Sequence, residues 1–317
     1  MTGFFTMTKS FPDRRDALLL GLGLASSVSF FGPNLSKAPA AESAEIDKNT
    51  RPKICIFAKP IQSLSFDAVA ELLSKHPVDG LEATVRKGGQ VDPAKVQEQL
   101  PKLYEALAKR SREFMILATD INAVGSDEHE AVLRSASKLG IRYFRMGYYK
   151  YNLTKPILPQ LESFAAQARE LAKLCQELNM TALYQNHAGA NYLGAPVMDL
   201  VEVMKGIPIS QMAIAMDIRH TTIEATSSWP LLYAMAKPHL GAVFVKDAII
   251  ERGSVKDVDL GQGKAAKELF KTIQKDGLPS VLSLHTEQID HADPKLLDAR
   301  IAAIGRDVTT LQSWLQE

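Results

Sequence analysis

The chain has 317 residues, 46% hydrophobic and 23% charged, a balance that fits a globular protein with a substantial core and excludes a disordered or fibrous chain. Its formal net charge is +1, and setting aside the first forty positions leaves 33 basic residues against 34 acidic ones, so no field of one sign remains to hold nucleic acid. The two cysteines, Cys55 in an apolar strand-like run and Cys175 in a helical segment, make neither a disulfide framework nor a metal motif and read as buried free thiols.

At the N-terminus, Asp13-Arg14-Arg15-Asp16 precedes an apolar stretch from Ala17 to Phe31, and Ala38-Pro39-Ala40 follows as a small-x-small cleavage pattern. A charged region, an apolar run and a small-residue site read together as a secretory signal over residues 1–40. The paired arginines resemble a twin-arginine signal, which serves folded cargo; Asp13 and Ala17 stand where that pattern has Ser/Thr and Phe, and an ordinary Sec signal is the alternative. The apolar run falls short of the ~20 residues that a membrane span needs. Residues 41–51 are polar and read as a linker, so the expectation is an exported, periplasmic or extracytoplasmic protein without a membrane span after processing.

Beyond the linker, short β-rich runs alternate with longer helical patterns. The strands expected are Lys53–Ala58, Gly80–Val85, Phe114–Thr119, Arg142–Gly147, Thr181–His187, Met212–Asp217, Ala242–Asp247 and Ser280–Glu287. Helical patterns fall at Phe66–Lys75, Val96–Arg110, His129–Lys138, Leu158–Leu178, Ala265–Lys275 and Ala299–Leu315. In the fourth of these, Leu161, Phe164, Ala168, Leu171, Ala172, Cys175 and Leu178 make one apolar stripe at helical spacing. Eight βα repeats over residues 52–317 predict a single (β/α)₈ TIM barrel. The alternative, an open doubly wound sheet, would show a glycine-rich loop after its first strand, where this chain has Ala58-Lys59-Pro60 and so gives no sign of a nucleotide cofactor.

Polar side chains gather at the C-terminal ends of these strands, the face where such barrels keep their active sites. Strand two ends near Glu82 and Arg86; strand four carries Arg145; strand five ends Tyr184-Gln185-Asn186-His187. Strand six ends at Asp217, followed by Arg219-His220; strand seven ends Lys246-Asp247; strand eight ends His285-Thr286-Glu287. Alternation puts Gln185 with His187, Phe244 with Lys246, and His285 with Glu287 on common faces. The set reads as a site, although Lys246 and Asp217 pairing as a buried ion bridge, and Asn186 capping a loop, are structural alternatives.

Asp217-Ile218-Arg219-His220, Val245-Lys246-Asp247 and Gly261-Gln262-Gly263, each after the appropriate strand, resemble motifs of the xylose isomerase-like barrel superfamily of sugar phosphate isomerases and epimerases. The resemblance covers essentially residues 52–317. It implies one divalent metal (Mn, Zn, Mg or Co) on a Glu of strand five, the Asp of strand six, a His of strand seven and a Glu of strand eight. Here only Asp217 matches; Gln185, Phe244 and His285 occupy the other three places, so a metal would be left with Gln185, Asp217 and His285.

The resulting expectation is proton transfer next to a sugar carbonyl through an enediolate. His187, His220 and Glu287 are the acid–base candidates, Lys246, Arg145 or a metal the electrophile, and Glu82, Arg86, Arg145, Asn186 and Asp247 the substrate contacts. Export disfavours a phosphorylated sugar and favours a free, oxidised or glycosidic one, a 3-keto-glycoside among them. A keto-glycoside lyase or hydratase, a non-catalytic carbohydrate-binding barrel and an apurinic endonuclease-like repair enzyme are the rival readings. Near-neutral charge and Phe244 weigh against the last. Homo-oligomerisation is left open.

Overall fold

The structure, a computed structural model, describes residues 51–317, apart from the side chains of Lys264 and Ala265. The signal segment and all but the last residue of the linker lie outside the described residues. Among the described residues ten strands form: β1 (Lys53–Phe57), β2 (Gly80–Thr84), β3 (Glu113–Ala118), β4 (Tyr143–Arg145), β5 (Thr181–Gln185), β6 (Met212–Asp217), β7 (Leu240–Val245), β8 (Asp247–Glu251), β9 (Ser254–Val258) and β10 (Val281–Leu284). Eight of them close into a parallel barrel in the order β1-β10-β7-β6-β5-β4-β3-β2, which removes the open-sheet alternative. The helices are α1 (Phe66–Ser74), α2 (Val96–Ala108), α3 (Asp127–Lys138), α4 (Ile157–Leu178), α5 (Met198–Val203), α6 (Ile218–Ala225), α7 (Trp229–Ala236), α8 (Lys264–Asp276) and α9 (Leu297–Gln316). Among the described residues no helix is long and apolar enough to cross a membrane.

Strand alternation divides the core into two layers. The larger lies between sheet and helices; Ile54, Ile56, Leu81, Ile214, Val243 and Leu282 face it from the strands. The smaller fills the barrel with Cys55, Leu183, Ala213, Ala215, Ala242 and Phe244. Stepping two residues along from this inner layer reaches Phe57, Gln185, Asp217 and Lys246, so period-two geometry that buries Leu183 and Ala215 also aims Gln185 and Asp217 at the rim. Both cysteines are buried and free.

Several boundaries differ from the sequence expectation. Strand β5 and the eighth barrel strand, β10, end at Gln185 and Leu284, leaving His187 beyond β5 and His285 one residue past β10, its backbone N–H still donating to Val245. Strand seven ends at Val245, and Asp247 instead opens the antiparallel hairpin β8–β9. That hairpin turns through Arg252 and Gly253, whose φ values of 51° and 80° are the two positive angles of a type I′ turn. An arginine at the first of these places hides the turn, because that position ordinarily carries Asn, Asp or Gly. The helices that the eight βα repeats imply after strands five and six are short, α5 after β5 and α6 and α7 after β6; α6 follows β6 without a loop because the Asp217 side chain accepts the backbone N–H of His220 and caps it.

Candidate active site

The floor of the rim is a continuous buried network. Glu82, fully buried, pairs with Arg145 (Oε1 to Nε, 3.2 Å), and its Oε2 accepts from Ser283 Oγ and from His285 Nε2 at 2.9 Å. Burial pushes the Glu82 carboxyl up, but Arg145, His285 and Ser283 outweigh it and hold the pKa below the usual carboxylate range. Arg145 stacks its guanidinium 4.5 Å over the Phe57 ring, and His285 lies between Phe57 and Phe244 at 4.4 and 4.7 Å. Gln185 Oε1 accepts from Arg145 (2.7 Å) and from Tyr148 Oη (2.6 Å), while its Nε2 donates to Asp217 Oδ2 at 2.7 Å.

Above the floor sits a cation between carboxylates. The Lys246 ammonium lies 3.3 Å from Asp217 Oδ2 and 2.9 Å from Glu287 Oε2, and Lys59 Nζ holds the other Glu287 oxygen at 2.9 Å. Burial works against the charge on all three central groups. The neighbouring groups override it, His220 and then Lys246 for Asp217, Lys246 and then His285 for Glu287, Asp217 and then Glu287 for Lys246, keeping the two carboxyls well below, and the ammonium well above, their ordinary pKa values.

Beside this cation stand two imidazoles, His187 and His220, with ring centroids 3.9 Å apart. His187 Nδ1 lies 2.8 Å from the Ala188 carbonyl, which can only accept, so Nδ1 carries the proton and Nε2 a free lone pair. His220 Nδ1 lies 2.9 Å from the Arg219 guanidinium, which can only donate, so Nε2 carries the proton. That N–H is buried and has no hydrogen-bond partner among the described residues. Burial, then the Lys246 charge, lowers the His187 pKa; burial lowers that of His220 strongly despite the neighbouring Asp217. Asp257 of the hairpin grips Arg219 at 2.8 Å, so β9 helps to orient His220.

The structure thus gathers Glu82, Arg145, Gln185, His187, Asp217, His220, Lys246, His285 and Glu287 at one rim, with Arg86 half-buried close enough to Arg145, Tyr148 and Glu82 for their charges to reach it. Two expected substrate contacts are otherwise engaged. Asn186 is fully buried, donating to Thr221 Oγ1 and accepting the Asp217 backbone N–H, which locks β5 to α6. Asp247 accepts backbone N–H groups of Ala248, Gly261 and Gly263 and closes the hairpin loop. This explains Gly263, where a Cβ would collide with the Asp247 carboxylate. Sequence reasoning missed Lys59, which lies two residues past the end of β1 and meets the same strand-end criterion, and the aromatic wall of Tyr148 and Tyr192, with rings 5.0 and 5.1 Å from His187. Both tyrosines lie beyond strand ends, where alternation gives no guide.

The residues expected to hold a metal do not fit one. Gln185 turns its NH₂ toward Asp217, whose oxygens also serve His220 N–H and Lys246, and His285 directs Nε2 to Glu82. Phe244 offers no lone pair. Among the described residues no group of three or more His, Cys, Asp or Glu side chains is arranged to hold a metal ion.

A family model described as xylose isomerase-like TIM barrel matches residues 59–306. None of the curated proteins matches the chain in sequence. Among solved structures, a 3-keto-D-glucoside 4-epimerase from E. coli is similar at 13% identity and TM-score 0.61, over 84% of this chain and 99% of the other. A D-psicose 3-epimerase from Clostridium cellulolyticum H10 matches at 15% identity and TM-score 0.60, over 82% and 99%. A probable 3-DHS dehydratase from Bacillus anthracis matches at 12% identity and TM-score 0.61, over 83% and 99%. At such identities the likeness speaks for the fold, and the chemistry has to be argued from the site.

Proposed function

The chain belongs to the xylose isomerase-like TIM barrel family, and on that premise we propose that its rim pocket is the active site of a sugar isomerase or epimerase, moving a proton beside a carbonyl. The observation that carries this reading is the His187–His220 pair, which presents a free lone pair and a free N–H side by side next to the Lys246 ammonium.

A C–H next to a carbonyl is acidic enough to lose its proton only if a base is ready and the oxygen's new charge is met. His187 Nε2, kept neutral by burial and by Lys246, takes the proton. The carbonyl oxygen, becoming an enediolate oxygen, accepts hydrogen bonds from the Lys246 ammonium and from His220 Nε2–H. Glu287 stays ionised and anchors Lys246 with Asp217 and Lys59. Return of the proton from His187 to the neighbouring carbon, with the hydroxyl proton passing from the α-carbon's oxygen to the former carbonyl oxygen, completes an isomerisation; an epimerisation needs the original carbon reprotonated on its opposite face by a second group. Tyr148 and Tyr192 offer apolar faces for a sugar ring beside the base. Loss of a β-substituent from the same enediolate, as in a keto-glycoside lyase, is the second outcome; it needs only that the leaving oxygen be protonated.

The carboxylates at the rim, each already paired with a cation, and the expected signal at residues 1–40 support a free, oxidised or glycosidic sugar met outside the cytoplasm. The test is solvent exchange. Incubated in D₂O with a panel of aldoses, ketoses and 3-keto-glycosides, the enzyme is expected to place deuterium α to the carbonyl of at least one of them, read by ¹H NMR, and His187→Gln to abolish it. No exchange and no turnover with any member, alongside saturable sugar binding, would overturn catalysis and leave a carbohydrate-binding barrel.

A further inference from the structure

We infer that Lys246 takes the place of a divalent cation in this site, so that the positive centre of the pocket is the chain's own ammonium and the pocket excludes a metal. Its use as an electrophile rests on the proton-transfer reading above; its occupancy of the cation position does not.

Charge balance comes first. Three carboxylates, Glu82, Asp217 and Glu287, meet at the rim, and three cations are paired with them: Arg145 with Glu82, Lys246 with Asp217 and Glu287, Lys59 with Glu287. These six charges sum to zero, and Arg86, half-buried close by, adds a further positive one. A divalent ion would add two positive charges next to a buried ammonium with no carboxylate left to match them, in surroundings where water screens poorly.

The donor set points the same way. Gln185 cannot turn its oxygen toward a metal beside Asp217, because that oxygen already accepts from both Arg145 and Tyr148. Flipping the amide would set its NH₂ against the Arg145 guanidinium, donor against donor, and would take the N–H from Asp217. An amide N–H facing Asp217 suits a carboxylate that is already neutralised by an ammonium. A glutamate at the same place would bring a further negative charge, which suits a dication. Phe244 goes with this arrangement: it packs its ring on His285 in the buried interior and leaves the space beside Lys246 without a ligand. An ammonium also brings three N–H donors, so two can stay on Asp217 and Glu287 while the third faces a substrate oxygen.

The test is metal binding, read without substrate. Purified protein is stripped with chelator, exchanged into metal-free buffer, and titrated with Mn²⁺ by electron paramagnetic resonance and with Zn²⁺ and Co²⁺ by calorimetry. The expected result is no saturable uptake into the pocket up to millimolar metal. The variant Gln185→Glu/Phe244→His/Lys246→Ala, which supplies two ligands and withdraws the ammonium, is expected to gain a saturable Mn²⁺ site, at least tenfold tighter than any uptake by the parent protein. Should circular dichroism show that it does not fold, Gln185→Glu/Lys246→Gln is read instead.

Uptake of one equivalent by the parent protein, lost in Asp217→Asn, would overturn the inference, as would a folded variant that gains no site. Uptake that survives Asp217→Asn lies outside the pocket and agrees with it. The two readings fail separately. Metal in the pocket sinks this inference and leaves proton transfer standing, whereas a metal-free protein that exchanges no α-proton sinks proton transfer alone.

Discussion

His187 and His220 lie ring to ring, 3.9 Å between centroids, without a hydrogen bond between them; each Nδ1 is committed elsewhere, and the two Nε2 atoms are left for a substrate. Two imidazolium ions at that distance, beside Lys246, would repel strongly, so the pair belongs to the neutral state. The proposed base works only when neutral. Because burial and Lys246 lower its pKa, activity is expected to be flat through neutral pH, with an acid limb below the ordinary histidine value of about 6.5. His187→Gln is expected to cost ~10²–10⁴-fold in kcat. An acid limb in kcat/KM at or above about pH 6.5 would count against His187 as the base.

His220 makes a related prediction about stability. Its folded pKa lies well below its unfolded one, so as pH falls the unfolded chain takes up the proton first. The stabilisation is therefore present above the unfolded value of about 6.5 and is lost as pH falls toward the folded value. Urea unfolding at a series of pH values should show stability declining on that side. His220→Gln should flatten the part of the slope that belongs to this residue. A slope unchanged in the variant would show that His220 is not buried neutral.

Lys246 should be costly to remove for structural as well as chemical reasons. Lys246→Met leaves Asp217 and Glu287 facing one another without their shared cation, and breaking a buried pair from one side costs ~3–5 kcal/mol. Adding Asp217→Asn relieves one of the stranded charges, so the double variant is expected to be more stable than Lys246→Met alone. Denaturant midpoints of the two variants measure this directly. Equal or lower stability of the double variant would mean that the ion pair contributes nothing to the fold. On an active substrate, Lys246→Met should also be more damaging than His285→Ala, since His285 is sealed beneath the pocket against Glu82.

Much of this site was legible because strand alternation is a rigid rule. Once Met212–Asp217 is read as a strand, Ala213, Ala215 and Asp217 must share a face, and closure of the barrel turns that face inward. The β7 end is similar: Phe244 points into the barrel and Lys246 follows it to the rim. What alternation does not reveal is where a strand stops and what a side chain then bonds. Asp247 reads in the sequence as a substrate contact at a strand end, but three backbone N–H groups from Ala248, Gly261 and Gly263 engage its carboxylate. Asn186 looked available until β5 and α6 were brought together around it. Both engagements share a cause: a loop's need for acceptors is a three-dimensional demand that a linear pattern does not display. The β8–β9 hairpin was missed for a different reason, the arginine in its turn.

The hairpin itself is open to test through Asp247. Its carboxylate is the acceptor that joins the start of β8 to the Gly261–Gly263 loop, so Asp247→Ala strands those backbone donors at ~1–3 kcal/mol each wherever water cannot reach them. Asp247→Asn keeps one oxygen acceptor and should lose less. Because the hairpin also holds Arg219 through Asp257, loosening it is expected to lower kcat through His220 rather than to raise KM. A rise in KM with kcat unchanged would instead return Asp247 to the role of a substrate contact.

The last prediction concerns residues outside the described part of the chain. Arg14 and Arg15 precede the apolar run at 17–31 and the small-residue site at 38–40, and on the twin-arginine reading they address the protein to a route for folded cargo. The barrel suits that route. Its two cysteines are buried and free, so no oxidising compartment is needed to complete it, and a pocket whose positive centre is Lys246 can be assembled before export. Replacing both arginines with lysine keeps the charge and should block export while the barrel folds normally. The expected result is precursor-length protein in the cytoplasm, protease-resistant and with the circular dichroism of the parent. Periplasmic yield equal to that of the parent would instead assign export to an ordinary Sec signal, and the barrel would then have to fold after crossing the membrane.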